Sequence, residues 1–76
     1  MFNKVNLVAT IIEVEQYNVR KKDGGEMLVF DFVARYDGGL LGGSLPAFLV
    51  KGKLEKGKKV KVDLKNFTVA GLEVLN

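Results

Sequence analysis

Between Lys4 and Glu15 the chain reads KVNLVATIIEVE, with Val5, Leu7, Ala9 and Ile11 alternating against Asn6, Val8 and Thr10. A period of two is the signature of a strand with one face turned inward. Past Ile11 the apolar set becomes Ile12 and Val14, separated by Glu13 and Glu15. The inward parity therefore flips once. One extra residue in a strand produces such a flip, so a bulge is expected near Ile11–Ile12. A long strand that bends at a bulge can pair with two partners and turn the corner of a small barrel.

The same alternation marks EMLVFDFVARY, residues 26–36, as a second strand. Phe30 and Phe32 bracket Asp31, which places Leu28, Phe30, Phe32 and Ala34 inside and Val29, Asp31, Val33 and Arg35 outside. KDGG, residues 22–25, is then the tip of the hairpin that joins the two strands. DGGLLGGSLP, residues 37–46, carries four glycines and two adjacent leucines, and reads as a mobile hairpin arm. AFLVKGKL, residues 47–54, is expected to be a third strand. KKVKVDLKNF, residues 58–67, alternates Val60, Val62 and Leu64 inward with Lys59, Lys61, Asp63 and Lys65 outward. NFTVAG, residues 66–71, turns, and LEVLN, residues 72–76, is a short last strand. No segment has helical periodicity, and KLEKG, residues 53–57, makes at most one turn. The expected fold is a single all-β domain over residues 1–76: a five-stranded, Greek-key barrel of the oligonucleotide-binding (OB) type with protruding hairpins. An SH3-like barrel is the structural rival.

Composition narrows the chemistry. The chain has 76 residues, no Cys and no His. Disulfides, thiol catalysis and the usual zinc ligands are thereby excluded. Its single serine, Ser44, lies in the glycine-rich stretch with no histidine to activate it, and the carboxylates alternate with lysines or sit in turns. No phosphate-binding or dinucleotide fingerprint is present. Neither catalysis, nor a cofactor, nor a small-molecule substrate is expected. The apolar runs are too short to span a membrane, and the start lacks the apolar core of a signal peptide. A soluble protein of the cytoplasm is expected. So short a chain buries little and commonly gains stability by self-association. Val29 and Val33, read as outward, with Leu40 and Leu41 on the arm, suggest the contact of a homodimer.

The net charge is +3, from 12 basic and 9 acidic residues, which permits an anionic partner. Arg20, Lys21 and Lys22 are consecutive and run into Asp23-Gly24-Gly25. Three adjacent positive charges gain nothing from one another, so a negative partner is the functional reading. Binding single-stranded nucleic acid needs a basic track for phosphates and flat side chains on which bases stack. The track candidates are Arg20, Lys21, Lys22, Arg35, Lys51, Lys53 and Lys65. Lys56, Lys58 and Lys59 are assigned to solubility. The stacking candidates are Tyr17, Tyr36, Phe48 and Phe67, with Tyr17 and Tyr36 expected at the surface. Phe48 could instead be core, and Phe67 could point outward or plug a barrel end. Phe2 is a candidate cap for a barrel mouth.

NKVNLVATIIEVE at the start and VRKKDGGEMLVFDFVARY after it resemble the opening of bacterial and phage single-stranded-DNA-binding proteins, and KGKKVKVDLKNF resembles their KG-x-x-V-x-V strand. In size, and in VDLKNFTVAG, the chain is similar to the gene V proteins of filamentous phages. It departs from the bacterial proteins in having no Trp, no acidic tail and only a short segment between its third and fourth strands. The resemblance implies an OB-fold homodimer that coats single-stranded DNA during phage or plasmid replication in a bacterial cell. The function expected is thus sequence-tolerant binding and protection of single-stranded DNA. The alternatives are a small RNA-binding barrel and an SH3-like structural or protein-interaction module.

Overall fold

The structure is a computed structural model that describes residues 4–75 and, for Lys4, the backbone alone. Phe2 lies outside the described residues. Six strands form one curled sheet: β1 (Lys4–Arg20), β2 (Glu26–Tyr36), β3 (Gly39–Pro46), β4 (Val50–Lys51), β5 (Lys59–Lys65) and β6 (Thr68–Val74), in the order β3-β2-β1-β5-β6-β4. One turn of 3-10 helix, Ala47–Leu49, separates β3 from β4. β3 and β4 are the two ends of the sheet order, yet three residues join them. β4 pairs parallel with β6, through Val50↔Leu72 and Lys51↔Glu73. The chain thus leaves one edge of the sheet and enters the other almost at once, which is possible only because the sheet curls.

The bulge lies where the parity flip places it. β1 pairs with β2 through Ile11↔Ala34 and then Glu13↔Val33, so Ile12 is the extra residue. Before the bulge β1 also pairs with β5, from Lys4↔Lys65 to Thr10↔Lys59. A straight strand of 17 residues would span roughly 55 Å at about 3.3 Å per residue. The longest dimension of the molecule is 40 Å, so β1 bends. Main-chain bonds from the segment between β4 and β5 hold the bend: Ile11 N–H donates to the Lys58 carbonyl at 2.9 Å, and Gly57 N–H donates to the Ile11 carbonyl at 2.8 Å.

The core is built from Ala9, Ile11, Phe32, Ala34, Leu45, Leu54, Val60, Val62 and Leu72, with Phe30, Tyr36 and Leu64 among the half-buried residues packed against it. The inward readings of Ala9, Ile11, Phe32, Ala34, Val60 and Val62 agree with this. Leu54 comes from the irregular segment between β4 and β5 and is 6 % exposed, so it fills the interior without belonging to a strand. Gly52 makes that route possible. Its φ is +97°, and a Cβ there would lie 2.8 Å from Val74 Cβ.

Several readings need correction. Residues 37–46 are not a mobile arm but a turn and a full strand: β3 pairs with β2 from Val29↔Pro46 to Tyr36↔Gly39 with no shift of register. An edge strand tolerates glycine because only one of its sides must be held by a neighbour. Residues 47–54 are not one continuous strand: only Val50–Lys51, β4, is a strand, after the 3-10 turn Ala47–Leu49. Pro46 lacks an N–H to donate, and the chain there must turn from one sheet edge to the other. The last strand begins at Thr68, because the preceding turn is only Asn66–Phe67. Val29 is not an outward contact residue, being only 7 % exposed. Its cross-strand neighbours are Tyr17 and Pro46. Val33 and Leu41 are half-buried, which leaves Leu40 as the exposed member of the four residues that suggested a homodimer. Leu28, expected inside, is exposed, because this end of the β1–β2 hairpin runs past the core.

Candidate nucleic-acid interface

The β1–β2 hairpin closes at Arg20↔Glu26 and carries a five-residue loop. Lys21 N–H donates to the Gly25 carbonyl at 2.7 Å, Gly24 N–H to the Lys21 carbonyl at 3.1 Å, and Gly25 N–H to Asp23 Oδ1 at 2.9 Å. Asp23 is therefore occupied in shaping the turn. Arg20, Lys21 and Lys22 are exposed on it, with Glu26 opposite Arg20. The structure places all three side by side at one end of the molecule.

Tyr17 lies further along the hairpin, on the outer face of the sheet. Its hydroxyl donates to Asp31 Oδ1 at 3.1 Å, and Ser44 Oγ donates to the same oxygen. These residues come from β1, β2 and β3, and the alternation in each strand brings them together: Asp31 stands opposite Ser44 and opposite Glu15, two positions along from Tyr17. The hydrogen bond to Asp31 is the chief reason that the Tyr17 pKa is raised. Desolvation and the Asp31 charge act in the same sense, and Ser44 opposes them. Glu13, Glu15, Asp31 and Lys56 line a neighbouring hollow of about 410 Å³. This face is thus less favourable to phosphate than its Tyr suggested. Sequence reasoning placed Asp31 outward but missed its link to Tyr17 and Ser44, because the link depends on the register of three strands.

At the opposite end of β2, Tyr36 is half-buried and packs against the core, so it is not the freely exposed aromatic that was expected. It lines a second groove of about 410 Å³ whose other wall is the β5–β6 hairpin, including Leu64, Phe67 and Val69. Phe67 is 88 % exposed at the tip of that hairpin. Asn66 and Phe67 form a two-residue turn with φ of 53° and 65°. Both central residues must be left-handed in such a turn, which favours Asn-Gly. A bulky residue there is strained. Arg35 and Lys65 flank these aromatics, each one or two positions away in sequence. The structure therefore joins Tyr36 to Phe67 and separates both from Tyr17. Tyr17 pairs with Val29, which is six residues, or roughly 20 Å, along β2 from Arg35. The lining glycines Gly42 and Gly43 were missed as site residues, because the segment holding them was not read as a strand.

Phe48 is 76 % exposed on the 3-10 turn and is not core. Lys51 is exposed on β4, opposite Glu73. Lys53 pairs with Glu55 at 3.8 Å in the open, a contact worth little but one that shares its charge. All three lie on the segment between β3 and β5. Among the described residues, no helix is long and apolar enough to cross a membrane, and no group of three or more acidic side chains is placed to hold a metal. Comparison with protein-family models finds no match, and searches of curated proteins and of solved structures return none.

Proposed function

We propose that this protein binds single-stranded DNA with little sequence preference and protects it during phage or plasmid replication. The barrel in this reading is of the OB type, with β3 and β4 counted as one bent strand. The passage of the chain from β3 at one edge of the sheet to β4 at the other within three residues supports it. The functional reading is carried by Phe67. A phenylalanine 88 % exposed is held in a left-handed conformation that a glycine would adopt without strain. The fold gains neither burial nor ease from it. Strain and apolar exposure together are accounted for if Phe67 meets a flat partner. Cations at both ends of β2, Arg35 here and Arg20 to Lys22 across the hairpin, supply attraction for phosphates.

Affinity for single-stranded DNA, single-stranded RNA and duplex DNA of equal length, measured at two salt concentrations, tests the proposal. Single-stranded DNA should bind more tightly than duplex, and its log K should fall with log salt at about −0.7 per phosphate contact. Tighter binding of RNA would transfer the reading to an RNA-binding barrel. No binding to any of the three would leave an interaction module.

A further inference from the structure

We propose that Asp37, followed by Gly38, is a site of spontaneous isoaspartate formation, and that the fold protects the matching pair Asp23–Gly24 from the same reaction. The proposal stands apart from the single-stranded-DNA reading.

The chain contains Asp-Gly-Gly twice, at residues 23–25 and 37–39. One copy lies in the β1–β2 loop and the other spans the β2–β3 turn, and all six residues are exposed. An aspartate followed by glycine is chemically vulnerable, because no side chain hinders the glycine nitrogen. That nitrogen attacks Cγ of the aspartate. A C–N bond forms, the carboxyl group gives up OH, the nitrogen gives up H, and one water leaves as a five-membered succinimide closes. Water then adds back at one of the two ring carbonyls. One opening restores aspartate. The other routes the main chain through Cγ and leaves isoaspartate. Mass is conserved, and water is the sole co-reactant.

The two copies share the residues that react, so the local sequence gives them similar rates. The fold separates them. At the first copy Gly24 N–H donates to the Lys21 carbonyl at 3.1 Å, and Gly25 N–H donates to Asp23 Oδ1 at 2.9 Å. The attacking nitrogen and the attacked carboxylate are both held, and ring closure must break both bonds. At the second copy, among the described residues, Gly38 N–H makes no main-chain hydrogen bond, and the Asp37 carboxylate accepts no hydrogen bond and forms no ion pair. Two hydrogen bonds of ordinary net strength slow Asp23 relative to Asp37 by about 5- to 150-fold. The Tyr36 ring keeps the vulnerable pair in place. A Cβ at residue 38 would lie 2.5 Å from Cε2 of that ring, so glycine is what fits beside it.

The modification has a structural consequence. Asp37 and Gly38 are the whole turn between β2 and β3, closed by Tyr36↔Gly39. Isoaspartate adds one atom to the main chain there. Turn geometry fixes hairpin register, and β3 is an edge strand whose sheet partner is β2. The added atom therefore loosens β3 from its Gly39 end.

Trypsin places the two copies in separate peptides, residues 23–35 and 36–51. The protein is aged at neutral pH, folded or in urea, and digested. Isoaspartate in each peptide is read by an isoaspartyl methyltransferase used as a reagent with a radiolabelled methyl donor. In the folded protein the 36–51 peptide should gain label about 5- to 150-fold faster than the 23–35 peptide. In urea the two rates should come within about twofold, because the hydrogen bonds at Asp23 are gone. Asp37→Ser, which keeps a turn-forming residue, should abolish label in the 36–51 peptide. The isoaspartate form, separated by chromatography, should melt at a lower temperature than the unmodified chain and exchange the amides of residues 39–41 faster. Equal rates in the folded protein, or a faster Asp23, would overturn the proposal. A difference that persists in urea would assign the effect to the preceding residues, Lys22 and Tyr36, and overturn the protection by the fold. An unchanged melting temperature with unchanged exchange would show that the turn absorbs the extra atom and overturn the consequence for β3.

Discussion

Tyr17 and Phe67 show how much one side chain's surroundings decide. Both were candidates for stacking, but Tyr17 is tied by its hydroxyl to Asp31, whereas Phe67 projects from a strained turn. Since the folded-state pKa of Tyr17 is raised, its contribution to stability is complete below the unfolded value near 10 and disappears as pH rises through the folded value. At neutral pH the phenol is protonated in both states, so its ionisation affects stability only in the alkaline range. In a Tyr36→Phe background, ultraviolet titration should find Tyr17 ionising above its ordinary range. Asp31→Asn should lower that pKa by removing the negative charge beside the phenol. A titration curve indifferent to this change would mean that Asp31 does not set the Tyr17 pKa.

The β1–β2 hairpin is an element whose shape and charge are held by different residues. Asp23, Gly24 and Gly25 close the loop by hydrogen bonds, so Arg20, Lys21 and Lys22 can change without unmaking it. Replacing the three with Gln should flatten the slope of log K against log salt for single-stranded DNA by up to about 2. Binding to every sequence should weaken alike, because phosphate contacts carry no base information. Stability should move by less than about 0.5 kcal/mol, as expected for exposed positions. The same change at Lys56, Lys58 and Lys59 is the control for lowered net charge. Equal flattening by both triples would show a diffuse positive field and no track at the hairpin.

For the whole molecule, the curled sheet must fill its interior from few residues. Leu54 reaches the core from a loop that Gly52 alone can route past Val74, and that loop also bonds the bulge at Ile11. A domain of 76 residues has a total stability of only about 4–11 kcal/mol. Leu54→Ala should cost about 2–5 kcal/mol, a large part of that total. Urea denaturation should show the midpoint falling sharply, while Leu54→Met, close in volume, should cost less than about 1.5 kcal/mol. A loss below about 1 kcal/mol for Leu54→Ala would mean that the loop does not plug the core.

The local order of hydrophobic and polar residues determined β2, β5, the bulge in β1 and the hairpin tip at residues 22–25. Each is written in a period of two or in turn residues that act on their own neighbours. Tertiary structure decided the rest. The glycine-rich segment 39–46 is a strand because β2 offers it eight successive partners, which no local propensity reveals. Val29 is buried on the outer face because Tyr17 and Pro46 flank it across the sheet. Tyr36 and Phe67, 31 positions apart in sequence, meet at one groove because the curl of the sheet brings the β5–β6 hairpin beside β3. The identity of the candidate aromatics and cations was legible in the chain, but their grouping was not, since grouping depends on which strands pair, in what register, and how far the sheet bends.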